Sequence, residues 1–356
     1  DWNQKMLNVI DVPGYFDFVG EMMGPLRVVE TAAILVNAVS GIAVGTEKAW
    51  DYATKNKVGR MFIVNQMDRD HADFMKVQAQ LRDRFGSSVV PVMLPIGSGS
   101  GFRGIVNVLE NKAYERVNKG MPKEVPVPAD MADDIALALE EITEAAAMTD
   151  DELTMKYLDE GTLTHEEILE GFKLGMFSGQ ICPVVPCSAL TGVGVAKLLD
   201  VMADFLPSPK RAVYTGVNPK TEEEETRACN NDEPFSALVY KTIADPFVGK
   251  LSLFKVMSGS LSGSGFSSNS GSFLFGRIVL QSDHQRTHYR FVDVEQTLKL
   301  ARERRLSLES NDRIIALGHI IDRIRKAALA PCCHIHDLGV CLDQGHELVH
   351  RCFGYG

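Results

Sequence analysis

Four short runs of branched apolar residues constrain this chain more than any other feature: Met6-Leu7-Asn8-Val9-Ile10, Ala32-Ala33-Ile34-Leu35-Val36, Met61-Phe62-Ile63-Val64 and Ile181-Cys182-Pro183-Val184-Val185. They are nearly continuous rather than alternating, which marks strands covered on both faces, as in a parallel sheet. Helix-like segments lie between them, including 46–56, with Thr46 as its cap, and 72–85. The alternation predicts a doubly wound α/β sheet. Ligands of such sheets sit at the carboxyl ends of the strands. Asp11, Asn65 and Ser188 each follow one of the runs, so three polar strings are predicted to face one rim.

Elsewhere the pattern changes. From about 95 to 175 there is a glycine-rich opening, a strand-like Gly104-Ile105-Val106-Asn107-Val108, a proline-punctuated stretch at 122–128 and then acidic helix. This predicts an α+β insertion within the sheet domain, at about 96–176. Residues 130–152 hold nine acidic side chains and no basic one, Glu140, Glu141 and Glu144 among them, which suits a solvated helix face or a docking surface for a basic or amphipathic partner. Leu206-Pro207-Ser208-Pro209 closes the sheet domain, and the polar stretch 209–232, with Glu222-Glu223-Glu224-Glu225, reads as a surface linker. Phe235-Ser236-Ala237-Leu238-Val239-Tyr240 and Leu251-Ser252-Leu253-Phe254-Lys255-Val256, with a turn at Gly259, read as the start of a small β-barrel at 233–275.

Composition excludes several classes. The 356 residues are 45% apolar and 24% charged, ordinary for a globular protein with a substantial core. No apolar run approaches the ~18 residues of a membrane span, and the N-terminus has no signal-peptide pattern; a cytoplasmic location is expected. A net charge of -10 argues against a general nucleic-acid binder, though not against local contact with RNA.

The polar strings carry the chemistry. Asp11-Val12-Pro13-Gly14-Tyr15-Phe16-Asp17-Phe18 has the Asp-x-x-Gly form that P-loop GTPases place after a strand, where the Asp holds magnesium and the Gly amide meets the γ-phosphate. Asn65-Gln66-Met67-Asp68-Arg69 resembles Asn-Lys-x-Asp, whose Asp takes the two ring-edge donors of guanine, and Ser188-Ala189-Leu190 completes such a pocket. No Gly-x-x-x-x-Gly-Lys-Ser/Thr loop occurs in the chain. Gly97-Ser98-Gly99-Ser100-Gly101-Phe102-Arg103-Gly104 and Gly192-Val193-Gly194-Val195-Ala196-Lys197 do not fit that loop and read as plain turns.

From Leu7 to about Gly265 the chain resembles elongation factor G and its paralogues, the translational GTPases of the ribosome. Beyond the pocket strings, the likeness includes Arg27, Ala72-Asp73-Phe74, Val90-Pro91-Val92-Met93-Leu94-Pro95-Ile96-Gly97, Phe102-Arg103-Gly104 and Asp245-Pro246-Phe247-Val248-Gly249-Lys250. The resemblance implies a P-loop GTPase-type α/β sheet lacking its N-terminal part, an inserted subdomain, the opening of a barrel, and GTP or GDP with Mg2+ as ligands. Carried over, Asp11 holds magnesium through water, Gly14 senses the γ-phosphate, Asn65 and Asp68 select guanine, and Ser188, Ala189 and Leu190 line the base, Ala189 by its amide. Gln66 stands where the family has a Lys lying over the guanine plane, so weaker nucleotide affinity is expected. Tyr15 stands where factor G has the His that positions the attacking water. A phenol with a pKa of about 10 orients water but carries no positive charge, so slower hydrolysis is expected, and the substitution points to the second factor G branch.

The implied function is GTP-driven translocation or a related ribosomal step, by a monomer whose partners are ribosomal RNA and the stalk protein. The alternatives are a non-catalytic stalk-binding module and a relative of the ribosomal protection proteins. As written, the polypeptide reads as a truncated fragment with negligible hydrolysis of its own. Downstream of about Phe273 the factor G pattern stops. Cys332, Cys333, His334, His336, Cys341, His346, His350 and Cys352 crowd residues 276–356 without a defensible zinc spacing, and that stretch reads as a frame-shifted or foreign tail.

Overall fold

The computed structural model describes residues 1–116, 121–218, 222–245, 249–260 and 289–290. They divide at Pro207/Ser208 into two compact units. In the first, the helices are α1 Val19–Met23, α2 Val44–Lys55, α3 Phe74–Phe85, α4 Ala132–Ala147, α5 Asp151–Glu160, α6 His165–Ser178 and α7 Val195–Phe205. Its strands are β1 Thr31–Asn37, β2 Gly59–Asn65, β3 Val89–Pro91, β4 Met93–Ile96, β5 Gly104–Asn107, β6 Lys112–Glu115, β7 Lys123–Val125 and β8 Cys182–Pro186.

Strands β1, β2, β8 and β3 form, in that order, a sheet in which every pair is parallel. The continuous apolar runs explain it: all five residues of β8 are buried, and Met61, Phe62 and Val64 of β2 are fully buried, as expected of strands roofed by helices. Helices α2 and α6 pack on β2, and α3 and α4 on β3. Trp50 of α2 stacks on Phe62 at 5.6 Å and meets Phe85 of α3 at 4.6 Å, while the Arg60 guanidinium lies 4.1 Å above the Trp50 ring.

Two local expectations are corrected. Residues 6–10 form no strand and are partly or fully exposed. An apolar run becomes a strand only where a neighbour takes up its backbone hydrogen bonds, and no described strand pairs with it. The chain is instead pinned just upstream, by Trp2 Nε1 donating to Asp200 Oδ1 at 2.7 Å and Lys5 Nζ to the Ala203 carbonyl at 2.7 Å. Helix α2 begins two residues before Thr46, whose hydroxyl reaches back to accept from the Ala43 amide at 3.2 Å. For α3 the cap is Asp73, accepting from Lys76 N at 3.0 Å.

Strands β4, β5, β6 and β7 form a second, antiparallel sheet in sequence order. Pro95, which cannot donate to a ladder, lies in edge strand β4. A Cβ at Gly104 would lie 2.4 Å from the Tyr114 carbonyl, so only glycine allows β5 and β6 to close there. One continuous core runs from Val36, Phe62 and Val64 through Met93, Ile105 and Val106 to Ile142 and Phe172. The stretch read as an insertion therefore shares its interior with the parallel sheet.

In the second unit the expected linker 209–232 contains an antiparallel hairpin of β9 Val213–Val217 and β10 Glu224–Ala228. Four consecutive glutamates give this stretch the look of a solvated connection; within β10, however, every second residue is half-buried, and the period of two decides the structure. A second hairpin joins β11 Ser236–Asp245 to β12 Gly249–Ser258. A short β13 Tyr289–Arg290 pairs parallel with β9. Apart from those two residues, the expected tail 276–356, with its cysteines and histidines, lies outside the described residues, as does much of the expected barrel 233–275 beyond residue 260.

Candidate functional site

Strands β1 and β2 run in register, so that Asn37 and Asn65 are paired at their carboxyl ends. Beyond β2 the chain turns sharply. Gln66 adopts φ +67, Met67 is fully buried as an anchor, and its amide donates to the Cys187 carbonyl at 3.3 Å, while Arg69 N returns to Gln66 O at 3.0 Å. Beyond β8 the chain turns through Ser188 to Gly194. Gly194 has φ +81, and a Cβ there would lie 2.6 Å from the Pro186 carbonyl.

These two turns close on each other. Asn65 Oδ1 accepts from Ala189 N at 3.0 Å and from the Cys187 thiol at 3.6 Å. The wholly buried Ser188 hydroxyl donates to Asp68 Oδ1 at 2.6 Å and accepts from Thr191 N at 3.1 Å. Asp68 is half-buried, and its second oxygen carries no hydrogen bond from the described residues. Leu190 is exposed at the lip. Burial pushes the Cys187 thiol up to about 12, with the Asp68 carboxylate adding to the shift, so this sulfur is a neutral donor and not a nucleophile.

The antiparallel sheet reaches both turns: Gly99 N donates to the Met67 carbonyl at 2.9 Å, and the Arg116 guanidinium donates to the Thr191 carbonyl. The two glycine clusters that do not fit a phosphate loop are thus tight turns beside the site.

The first string lies elsewhere on the rim. The Gly14 carbonyl faces the opening turn of α2, 3.6 Å from where a Cβ on Gly45 would sit, and none of the hydrogen bonds of Asn65, Asp68 or Ser188 involves Asp11. Asp11, Gly14 and Tyr15 are exposed, and the Tyr15 carbonyl accepts from Phe18 N at 3.0 Å, opening a 3-10 turn. Among the described residues no three His, Cys, Asp or Glu side chains gather as a metal cluster. A single carboxylate still fits Mg2+, which keeps most of its waters and takes one or two carboxylates besides phosphate oxygens.

Sequence reasoning missed Asn37. Its Oδ1 accepts from Val39 N at 2.8 Å and Ser40 N at 3.0 Å, and its Nδ2 donates to Gln66 Oε1 at 2.7 Å. The available signal was an asparagine ending an apolar run, just as Asn65 does.

A helix-flanked parallel sheet of order β1-β2-β8-β3 is typical of a GTPase-type domain. Residues 1–208 match the elongation factor Tu GTP binding domain family, more than half of the 356 residues, and the chain belongs to that family, whose members bind guanine nucleotides. Among solved structures it is similar to the crystal structure of ttk003000868 from Thermus thermophilus, at 31% identity and a TM-score of 0.59, over 70% of this chain and 35% of that one. The chain therefore spans about a third of the length of that protein.

Proposed function

We propose that this chain carries the guanine-recognition half of an elongation factor G-like translational GTPase of the second factor G branch, acting on the ribosome in translocation or a related step. The observation that carries this reading is the joined pair of turns. Ala189 N and Ser188 hold Asn65 and Asp68 in place and leave Asp68 Oδ2 open at a half-buried rim. Guanine presents two adjacent donors, N1–H and the exocyclic amine, and a fixed carboxylate accepts both, whereas adenine has an acceptor at N1. Residues 1–208 supply this domain, and 233–275 the opening of a barrel. In this reading GTP or GDP binds with Mg2+, which supplies charge neutralisation at the phosphates when bound. Asp11 would hold the ion, the Gly14 amide would meet the γ-phosphate, and the Tyr15 hydroxyl would orient water.

Asp68→Asn tests the base site. A carboxamide offers a donor toward C2, where xanthine has a carbonyl, so the variant loses guanine preference by about a hundredfold and gains xanthine nucleotide, the effect of unpairing and re-pairing buried polar groups. Equal affinity for GDP in parent and variant refutes the assignment. The polypeptide alone, which contains no Gly-x-x-x-x-Gly-Lys-Ser/Thr string, is expected to release negligible phosphate from GTP even with ribosomes; ribosome-stimulated turnover would contradict this.

A second reading, a stalk-docking module, is favoured by α4. Its outer face carries exposed Asp133, Glu140 and Glu144 around Leu137, which is 54% exposed, with Met148 just beyond its end. Glu141 does not belong to that face: it is half-buried against Arg82 at 3.4 Å. Charge reversal at Asp133, Glu140 and Glu144 abolishes capture of stalk protein if this reading holds; unchanged capture removes it.

A further inference from the structure

We infer that Asn37 is a positioning residue of the base site, setting the polarity of the Gln66 side-chain amide so that its NH2 group faces the bound nucleotide; this rests on the guanine-site reading above. Val39 N and Ser40 N are backbone amides and can only donate, and both point at one atom of the Asn37 carboxamide, at 2.8 and 3.0 Å. That atom is therefore the oxygen, and the other end of Asn37, directed at Gln66, is the NH2 group. A donor 2.7 Å away requires an acceptor, so Gln66 turns its Oε1 toward Asn37. The Gln66 Nε2 is left with no hydrogen-bond partner among the described residues.

Gln66 has little freedom to do otherwise. Its backbone is held at φ +67, with Met67 buried beneath the turn and the Ala38 amide donating to the Asn65 carbonyl at 2.9 Å. Two neighbouring strand ends thus act as one unit, which presents a neutral, oriented NH2 donor in the same turn that carries Asp68, two residues on. An amide NH2 group donates only, so its target is a hydrogen-bond acceptor of the ligand.

Asn37→Asp isolates this role. The aspartate retains an oxygen to accept from Val39 N and Ser40 N, so the turn is preserved. Its other oxygen accepts from Gln66 and flips that amide, presenting a carbonyl to the ligand. Titration of the full chain with fluorescent GDP is expected to show about tenfold weaker binding for Asn37→Asp, with the melting temperature within about 2 °C of the parent. In a Gln66→Ala background the same substitution is expected to change affinity less than about twofold, which also removes the contribution of the added charge. Gln66→Glu is expected to reproduce the loss with Asn37 intact. Equal effects of Asn37→Asp with and without Gln66, or no effect at all, overturn the inference. Asp68→Asn in the same titrations separates the two failures: if guanine preference is lost there while Asn37→Asp is silent, the base site stands and only the role of Asn37 falls. An absence of GDP binding by the parent chain overturns both.

Discussion

Ser188→Ala is the most direct probe of the joined turns. The hydroxyl is wholly buried, donates to Asp68 Oδ1 at 2.6 Å and accepts from Thr191 N at 3.1 Å. A hydrogen bond to a charged partner contributes about 1.5–3 kcal/mol; water reaches half-buried Asp68, so about 1.5 kcal/mol is appropriate. The neutral bond from Thr191 adds about 1 kcal/mol. The sum, about 2.5 kcal/mol, corresponds to a fall of about 5–10 °C in melting temperature for a unit of this size. Both tryptophans, Trp2 and Trp50, lie in the unit containing the site, so denaturant unfolding followed by tryptophan fluorescence reads that unit selectively. Ser188→Ala and Asp68→Ala share a contact and are expected to be less than additive in the double variant. Coincident unfolding curves for parent and Ser188→Ala, within about 0.5 kcal/mol, would refute the view that this hydroxyl fastens one turn to the other.

Two further outcomes follow from the packing and the ion pairs. Phe172 of α6 is fully buried and meets Phe205 edge-on at 5.1 Å, so Phe172→Ala should cost about 3–5 kcal/mol in the same unfolding assay. Glu167 accepts from the Lys156 ammonium and from the Thr164 amide and hydroxyl, which hold its carboxyl down to about 2. A depressed acid stabilises the fold above its unfolded value and loses that contribution as pH falls toward its folded value. The stability gap between the parent and Glu167→Gln should therefore be full at neutral pH and shrink between about pH 4.5 and 2; a gap independent of pH would show that the pair is not coupled to folding.

Much of this was legible in the residues, for identifiable reasons. Buried strands of a parallel sheet are written as unbroken apolar runs, so β2 and β8 stand out; β1 reads the same way although it is the edge of the described sheet and leaves Leu35 57% exposed. Polar residues following such strands have only one rim to occupy. That is why Asn65, Asp68 and Ser188 could be expected together although the last two are 120 positions apart. Residues 6–10 look the same in sequence, but strand formation depends on a neighbour that no composition reveals. The hairpin of β9 and β10 was hidden because the inward positions of β10, Glu225 and Arg227, are charged and only half-buried. Glu141 was grouped with solvent-facing acids because period alone did not show that Arg82, on a different helix, lies beneath it. Asn37 escaped notice because its importance lies in which end of an amide faces which way, a property of hydrogen-bond geometry and not of residue type.

The wide separation of Asp68 from Ser188 has a kinetic corollary. Contacts between distant parts of a chain form late, since the intervening segment must be confined before they can be made. Here that segment includes the whole antiparallel sheet and helices α3 to α6, all sharing one interior with the strands that carry the two turns. On the proposed reading, purine recognition needs Asp68 and Ser188 joined, and it should thus be among the last properties to emerge during refolding.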